Sequence, residues 1–180
     1  MNVYDGGMTA NRIDRLAATP KMLAHLVADA TDEQLDAAPA AGEWSVRTIL
    51  AHLRDDEFLC MRLCLERALA EDEPQVSFLE GSDWAEGRNR SRDRKEQLLG
   101  DFALQRQASV AILRSLREED WQRAIRDVQR GRVTVSALLD TWLRHSDEHV
   151  AQIERALGET LAEVQARRAA WAATYPRPPR

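Results

Sequence analysis

The stretch VTVSALLDTWLRHSDEHVAQIERALG, residues 133–158, is typical of one long amphipathic helix. Thr134 can act as its N-cap, and Gly158 can end it. One stripe of residues recurs at alternating spacings of three and four, the rhythm of helices that pack at shallow angles. Its members are Val135, Leu138, Trp142, His145, His149, Gln152 and Ala156. The stretch therefore predicts a bundle helix with two histidines on its inward face.

The rest of the chain repeats this helical pattern and shows almost no strand signal. We predict further long helices at about residues 9–28, 45–70 and 91–116, with Pro20 interrupting the first and Ser45 capping the second. A long connection begins at residue 71, and residues 125–135 form a small hairpin or an irregular loop. A short amphipathic helix at 161–173 follows the last long helix. The predicted fold class is all-α, a four-helix bundle.

Length and composition favour one globular domain, which we place at residues 1–174, followed by a mobile tail at 175–180. The net charge of -5, with acids and bases mixed along the chain, argues against a nucleic-acid partner. No apolar run is long enough to cross a membrane, and the N-terminus lacks a signal-peptide layout. Cys60 and Cys64 fit reduced core cysteines. These features together predict a cytoplasmic protein without a nucleic-acid or membrane partner.

The second helix carries a third histidine on an inward stripe, formed by Ile49, His52, Asp56, Leu59 and Leu63. Histidines four apart on a helix can converge on one ion, and an imidazole from a facing helix would complete a three-histidine set. Burying three imidazoles without partners is costly, and metal coordination removes that cost. The alternative is that each histidine bonds a carbonyl or a carboxylate, or that the pair lies half-exposed at the end of the bundle.

Three segments carry a family resemblance: TPKMLAHLVADATDEQLDAAPAAGEWS (19–45), GEWSVRTILAHLRDDE (42–57) and GRVTVSALLDTWLRHSDEHVAQIERAL (131–157). A Trp-Ser helix entry, a histidine in Ala-His-Leu and a late HxxxH, in this order, resemble the DinB-like superfamily of four-helix-bundle proteins over roughly residues 9–157. The resemblance implies a divalent metal, often zinc or nickel, held by His52, His145 and His149. It also implies a possible homodimer, with the last amphipathic helix as a candidate interface.

The other polar residues near these motifs receive weaker assignments. Asp56 is either a fourth ligand, an acceptor that orients an imidazole, or a carboxylate at the surface or at the end of the bundle, and Glu57 is a weaker candidate. Ser146 occupies the position of the glutamate in the HExxH motif, which argues against a zinc protease. His25 is expected to be structural, and Trp142 is expected to pack in the core or to wall the site.

Two functions of different classes follow from these assignments. Some members of the DinB-like superfamily, which the sequence resembles, transfer a low-molecular-weight thiol. An open metal position in a three-histidine site could activate such a thiol or a water molecule. The protein would then be a metal-dependent S-transferase or hydrolase. The alternative is a non-catalytic, stress-linked binding module with a structural or vacant metal site. No catalytic residue is assigned by the sequence.

Overall fold

The computed structural model describes residues 6–78 and 93–158, together with residues 163, 165, 166, 169 and 170. Four long helical segments dominate these residues, as the sequence predicts. Their bounds are α1 (Gly6–Leu26), α3 (Val46–Asp56) continuing through a π-helical turn (Glu57–Arg62) into α4 (Leu63–Ala70), α5 (Lys95–Ser115) and α6 (Val135–Ala156). The short helix α2 (Asp32–Asp36) precedes α3.

The four segments form a bundle in which α1 and the continuous α3–α4 rod each pack against both α5 and α6. The all-α four-helix bundle predicted from the sequence is therefore confirmed. Because α3 and α6 are direct neighbours, residues on their facing sides can meet although they lie far apart in the chain.

Two apolar clusters fill the bundle, one towards each end. The first includes Leu16, Leu65, Val110 and Trp142, and the second includes Leu23, Leu53, Phe102, Val150 and Ile153. Each long segment contributes to both clusters. Between them lies a buried polar layer that contains Glu57, Arg106 and Ser146.

A small three-stranded sheet closes one end of the bundle. β2 (Ala124–Asp127) and β3 (Gly131–Thr134) form an antiparallel hairpin. For this segment the sequence allowed either a hairpin or an irregular loop. Gly131 has a φ of 73°, a left-handed conformation that glycine adopts without steric cost. The sequence did not predict β1 (Gln75–Val76), which lies in the long connection after α4 and pairs in parallel with β2.

Pro20 does not interrupt α1, contrary to the sequence prediction. Proline has no N–H, so the carbonyl of Leu16 loses its usual helical donor. Nη1 of Arg106 on α5 donates to this carbonyl oxygen at 3.0 Å. The helix is continuous through Pro20 because a side chain from a neighbouring helix supplies the missing hydrogen bond.

The π-helical turn changes which residues of the second long segment face inward. The sequence stripe placed Leu59 and Leu63 inside, but their exposed fractions are 43% and 47%. The wider π turn adds a residue to the helical repeat, so the downstream face rotates. The residues that follow them by one or two positions are buried instead, namely Cys60, Met61, Cys64 and Leu65, together with Ala68.

The predicted helix boundaries are confirmed where side chains define them. The hydroxyl of Ser45 accepts from the backbone N–H of Thr48 at the start of α3, and Thr134 accepts from Ala137 at the start of α6. Gly158, with a φ of 71°, follows the end of α6. The predicted helix at 161–173 lies outside the described residues apart from five helical positions, and the tail at 175–180 lies wholly outside. The domain boundary at residue 174 therefore stays a prediction.

Candidate metal centre

The three histidines selected from the sequence meet at one point between α3 and α6. Nε2 of His145 lies 3.0 Å from Nε2 of His52 and 3.1 Å from Nε2 of His149. One ring nitrogen from each histidine lies within 4.8 Å of the corresponding nitrogens of the other two. His52 is buried, while His145 and His149 lie half-buried at the edge of the inward face of α6.

These separations fit a shared metal ion. Two imidazole nitrogens bound to the same zinc at about 2.0–2.1 Å can be no more than roughly 4 Å apart. The Nε2 atoms of His52 and His149 each lie within this span of the Nε2 atom of His145. The three histidines could therefore hold one divalent ion, and among the described residues they are the group whose potential ligand atoms all lie within 4.8 Å of one another.

The electrostatic surroundings keep the three imidazoles neutral, which is the form that donates a lone pair to a metal. Burial, followed by the neighbouring histidines, lowers the pKa of His145 to about 2. Burial and the nearby His149 lower the pKa of His52 to about 3. Burial also lowers the pKa of His149, although Gln152 and Glu148 oppose this shift.

Gln152 fixes the orientation of one imidazole. Its Oε1 atom lies 2.9 Å from Nδ1 of His149, so Nδ1 carries the hydrogen and donates to the amide oxygen. This tautomer leaves the lone pair on Nε2, the atom that faces the other histidines. Hydrogen bonds of this kind to the second ring nitrogen are usual for metal-binding histidines. The sequence placed Gln152 on the inward stripe but assigned it no role.

Asp56 is buried beside the histidine cluster. Its Oδ2 atom lies 3.7 Å from Nε2 of His145, too long for a hydrogen bond. Burial and the neighbouring Glu57 raise the pKa of Asp56 to about 7, while a hydrogen bond from Cys60 and the charge of Arg106 act in the opposite direction. Because the Asp56 side chain is buried, it is not the exposed surface carboxylate that the sequence allowed as an alternative.

Trp44 forms a wall of the histidine cluster. The sequence marked this residue only as part of the Trp-Ser helix entry and did not predict its contact with the histidines. Its ring lies 5.0 Å from that of His52, and it stacks on His149 at 6.1 Å with an interplanar angle of 7°. The Trp-Ser entry to α3 therefore serves two purposes, since Ser45 caps the helix and Trp44 covers two imidazoles. Trp142, for which a wall was considered, instead packs in the core and donates its Nε1 hydrogen to Oε2 of Glu57 at 2.9 Å.

The sequence missed Arg106, the partner of Glu57. Both side chains are buried, and the guanidinium donates to Oε2 of Glu57 at 2.9 Å through Nε. Glu57, rated a weak candidate, is thus part of an ion pair rather than of the histidine cluster. A signal was available, because Arg106 follows the buried Phe102 at helical spacing and would point inward on the same face.

The remaining sequence candidates are not members of the cluster. His25 is exposed in the last turn of α1, while Asp147 and Glu148 are exposed on α6. Cys60 and Cys64 are buried and form no disulfide, as expected. Within the described part of the chain, no helix is both long and apolar enough to cross a membrane.

Comparison with known proteins adds a family and a fold. A family model described as the DinB superfamily matches residues 15–153. A protein of Oceanobacillus iheyensis named "Putative metal-dependent hydrolase OB0782" is 26% identical over 141 residues, covering 78% of this chain and 81% of that protein. The uncharacterized protein YuaE of Bacillus subtilis is 25% identical over 138 residues, covering 69% of this chain and 83% of its own length.

A solved structure shares the architecture. It is YfiT from Bacillus subtilis, described as a probable metal-dependent hydrolase with an unusual four-helix bundle topology. The two structures superpose with a TM-score of 0.79 at 22% identity, covering 89% of this chain and 93% of that one. At this level of identity, the match concerns the fold.

Proposed function

The chain belongs to the DinB superfamily, and on this premise we propose that it is a metal-dependent enzyme whose ion is held by His52, His145 and His149. The observation that carries the proposal is the convergence of three imidazole Nε2 atoms within one bundle interface. The names of several relatives as metal-dependent hydrolases support it. Imidazole ligands suit zinc and nickel, and we propose one of these two metals.

A divalent ion bound by three imidazoles keeps a position for a nucleophile and lowers the pKa of a water or thiol placed there. The protein's own residues prepare this position. Gln152 holds the ring of His149, and Trp44 shields two imidazoles from water on one side. Asp56 presents a carboxylate oxygen next to His145, where it can ligate the ion or accept a hydrogen bond from an incoming group.

The proposed nucleophile is water or a low-molecular-weight thiol, which makes the reaction either hydrolysis or thiol transfer on a small-molecule substrate. The relatives' names favour hydrolysis, whereas the resemblance to a superfamily in which some members use thiols is the support for transfer. We further propose a cytoplasmic location, no nucleic-acid or membrane partner, and a homodimer. The mixture of acidic and basic residues along the chain, with a net charge of -5, supports the absence of a nucleic-acid partner.

Metal analysis of protein purified without an affinity tag tests the metal site. We expect about one equivalent of zinc or nickel in the unaltered protein and a strong loss in His149→Ala. His25→Ala is the matched control, because His25 is exposed and is not a member of the cluster. Equal metal content in His149→Ala and His25→Ala would remove the proposed site.

Activity is tested next, with the metal-loaded protein, panels of hydrolysable esters and amides, and electrophiles offered together with thiols. Turnover that is lost in His149→Ala would support the enzyme and identify its nucleophile. Tight metal binding without turnover in either panel would favour the non-catalytic binding module.

A further inference from the structure

Arg106 connects three helical segments at the centre of the bundle. Its guanidinium donates to Oε2 of Glu57, to the carbonyl oxygen of Leu16 at 3.0 Å, and to the hydroxyl of Ser146 at 3.3 Å. Both Arg106 and Glu57 are only 2% exposed. One side chain therefore bridges α1, the π-helical turn and α6 in the polar layer between the two apolar clusters.

The contacts of this ion pair are adjacent to the histidine cluster. Ser146 follows His145 directly, and Trp142, which donates to the same Oε2 of Glu57, lies one helical turn before it. On the other side of the cluster, Glu57 follows Asp56, the carboxylate nearest to His145. The ion pair thus holds the backbone on both sides of the proposed metal site.

His145 needs such support more than His149 does. Nδ1 of His149 is held by Gln152, but no described residue is hydrogen-bonded to Nδ1 of His145. The placement of the His145 ring therefore depends on the position of α6. Ser146 and Trp142 lie on the buried face of this helix, next to the edge that carries His145.

Stability is a weak explanation for this ion pair. Replacing a buried ion pair with apolar side chains of similar volume is often neutral or stabilising, because the charges must give up their hydration. Here the pair separates two apolar clusters that could otherwise be continuous. A role in fixing geometry accounts for its location directly beside the ligands.

We propose that Arg106, through Glu57, Ser146 and Trp142, is the positioning residue that sets His145 in register with His52 for metal binding. The inference rests on the proposed function, since it assumes that these histidines hold the ion. Arg106 does not touch the ion or the substrate. It acts by fixing the rotation and height of α6 relative to α3.

Ser146→Ala is the most selective test, because it removes one hydrogen bond to Arg106 and leaves the ion pair intact. Ser109→Ala is its matched control: Ser109 is also a buried helical serine, but its hydroxyl bonds the carbonyl of Gln105 within α5. For both variants, zinc affinity is measured by competition with a chromogenic chelator, and the Co²⁺ absorption spectrum reports ligand geometry. Denaturant midpoints of the metal-free proteins measure stability separately.

We expect Ser146→Ala to weaken zinc binding about tenfold and to shift the Co²⁺ spectrum, as outer contacts of metal ligands commonly do. Ser109→Ala should keep the affinity and spectrum of the unaltered protein. Trp142→Phe, which removes the N–H donor to Glu57, should behave like Ser146→Ala. Together the two variants test the role of Arg106 while leaving Arg106 itself and its ion pair with Glu57 in place.

The outcomes separate this inference from the function on which it rests. If the unaltered protein binds zinc and both Ser146→Ala and Trp142→Phe match Ser109→Ala, the positioning role is wrong and the metal site stands. If the unaltered protein binds no zinc, nickel or cobalt, the proposed function itself fails. Loss of stability in Ser146→Ala with unchanged affinity and spectrum would also overturn the positioning role.

Discussion

Nη1 of Arg106 donates a hydrogen bond of 3.0 Å to the carbonyl oxygen of Leu16, the acceptor that Pro20 leaves without its helical donor. The usual objection to proline inside a helix is the loss of this bond and the clash of its ring with the same carbonyl. Here a buried cation on the neighbouring helix restores the bond, so the sequence tolerates Pro20 at the centre of a continuous α1.

Pro20→Ala should stabilise the protein by only about 1–2 kcal/mol, although proline in a helix interior costs roughly 3 kcal/mol relative to alanine. The gain is reduced because Arg106 already bonds the Leu16 carbonyl, and because proline restricts the unfolded chain. Urea unfolding of the metal-free protein measures the difference. A stabilisation of roughly 3 kcal/mol, the full cost of a proline in a helix interior, would show that Arg106 does not compensate for the missing N–H.

Leu63 and Leu65 provide a matched test of the π-helical turn. Leu65 is fully buried, whereas Leu63 is 47% exposed. Leu65→Ala should therefore cost about 2–5 kcal/mol of unfolding free energy. Leu63→Ala should stay within about 0.5 kcal/mol of the unaltered protein. In an uninterrupted helix the apolar stripe would place Leu63 inside. Leu63→Ala would then be the more destabilising of the two changes.

Gln152→Ala should weaken zinc binding by about 10- to 100-fold, because Nδ1 of His149 would lose the acceptor that fixes its tautomer. Gln152→Glu keeps an acceptor at the same position and should retain tight binding. Chelator competition on the two variants distinguishes loss of the acceptor from a general effect of changing this residue. Equal weakening in both variants would contradict the assigned tautomer.

Asp127 should contribute stability that depends on pH. Burial favours its neutral form, but backbone N–H groups of Arg130, Phe78 and Gln129 hydrogen-bond the carboxylate and hold its pKa below the ordinary value. A lowered pKa in the folded state means that the contribution is present above the unfolded value of about 3.9 and is lost as the pH falls through the folded value.

Asp127→Asn should therefore lower the unfolding free energy at pH 7 by about 1 kcal/mol, because the neutral amide accepts the three hydrogen bonds less well. The difference from the unaltered protein should shrink as the pH falls below about 4, because the unfolded carboxylate takes up its proton there and the folded one follows only at its lowered pKa. Denaturant titrations between pH 3 and pH 7 measure this convergence, with exposed Asp29→Asn as the control. A difference that stays constant over this range would show that the charge of Asp127 is not involved.

The helices and the histidine cluster could be predicted because their signals are local and periodic. His145 and His149 share a turn, and His52 lies in line with Ile49 on α3. The π turn could not be predicted in this way, because the apolar residues of the sequence keep a regular helical spacing through Leu59 and Leu63. Arg106 was missed for another reason: the cost of burying it is offset by Glu57 and the Leu16 carbonyl, which only the folded chain brings together.

The distance along the chain between the histidines has a consequence for how a newly made protein acquires its ion. His145 and His149 belong to a single turn, but His52 lies 93 residues before His145. A partly folded chain can thus offer a two-nitrogen chelate from α6 alone, and the third nitrogen arrives only when α3 docks. Capture of the ion would begin at α6, and its retention would report that α3 has docked and the bundle has closed.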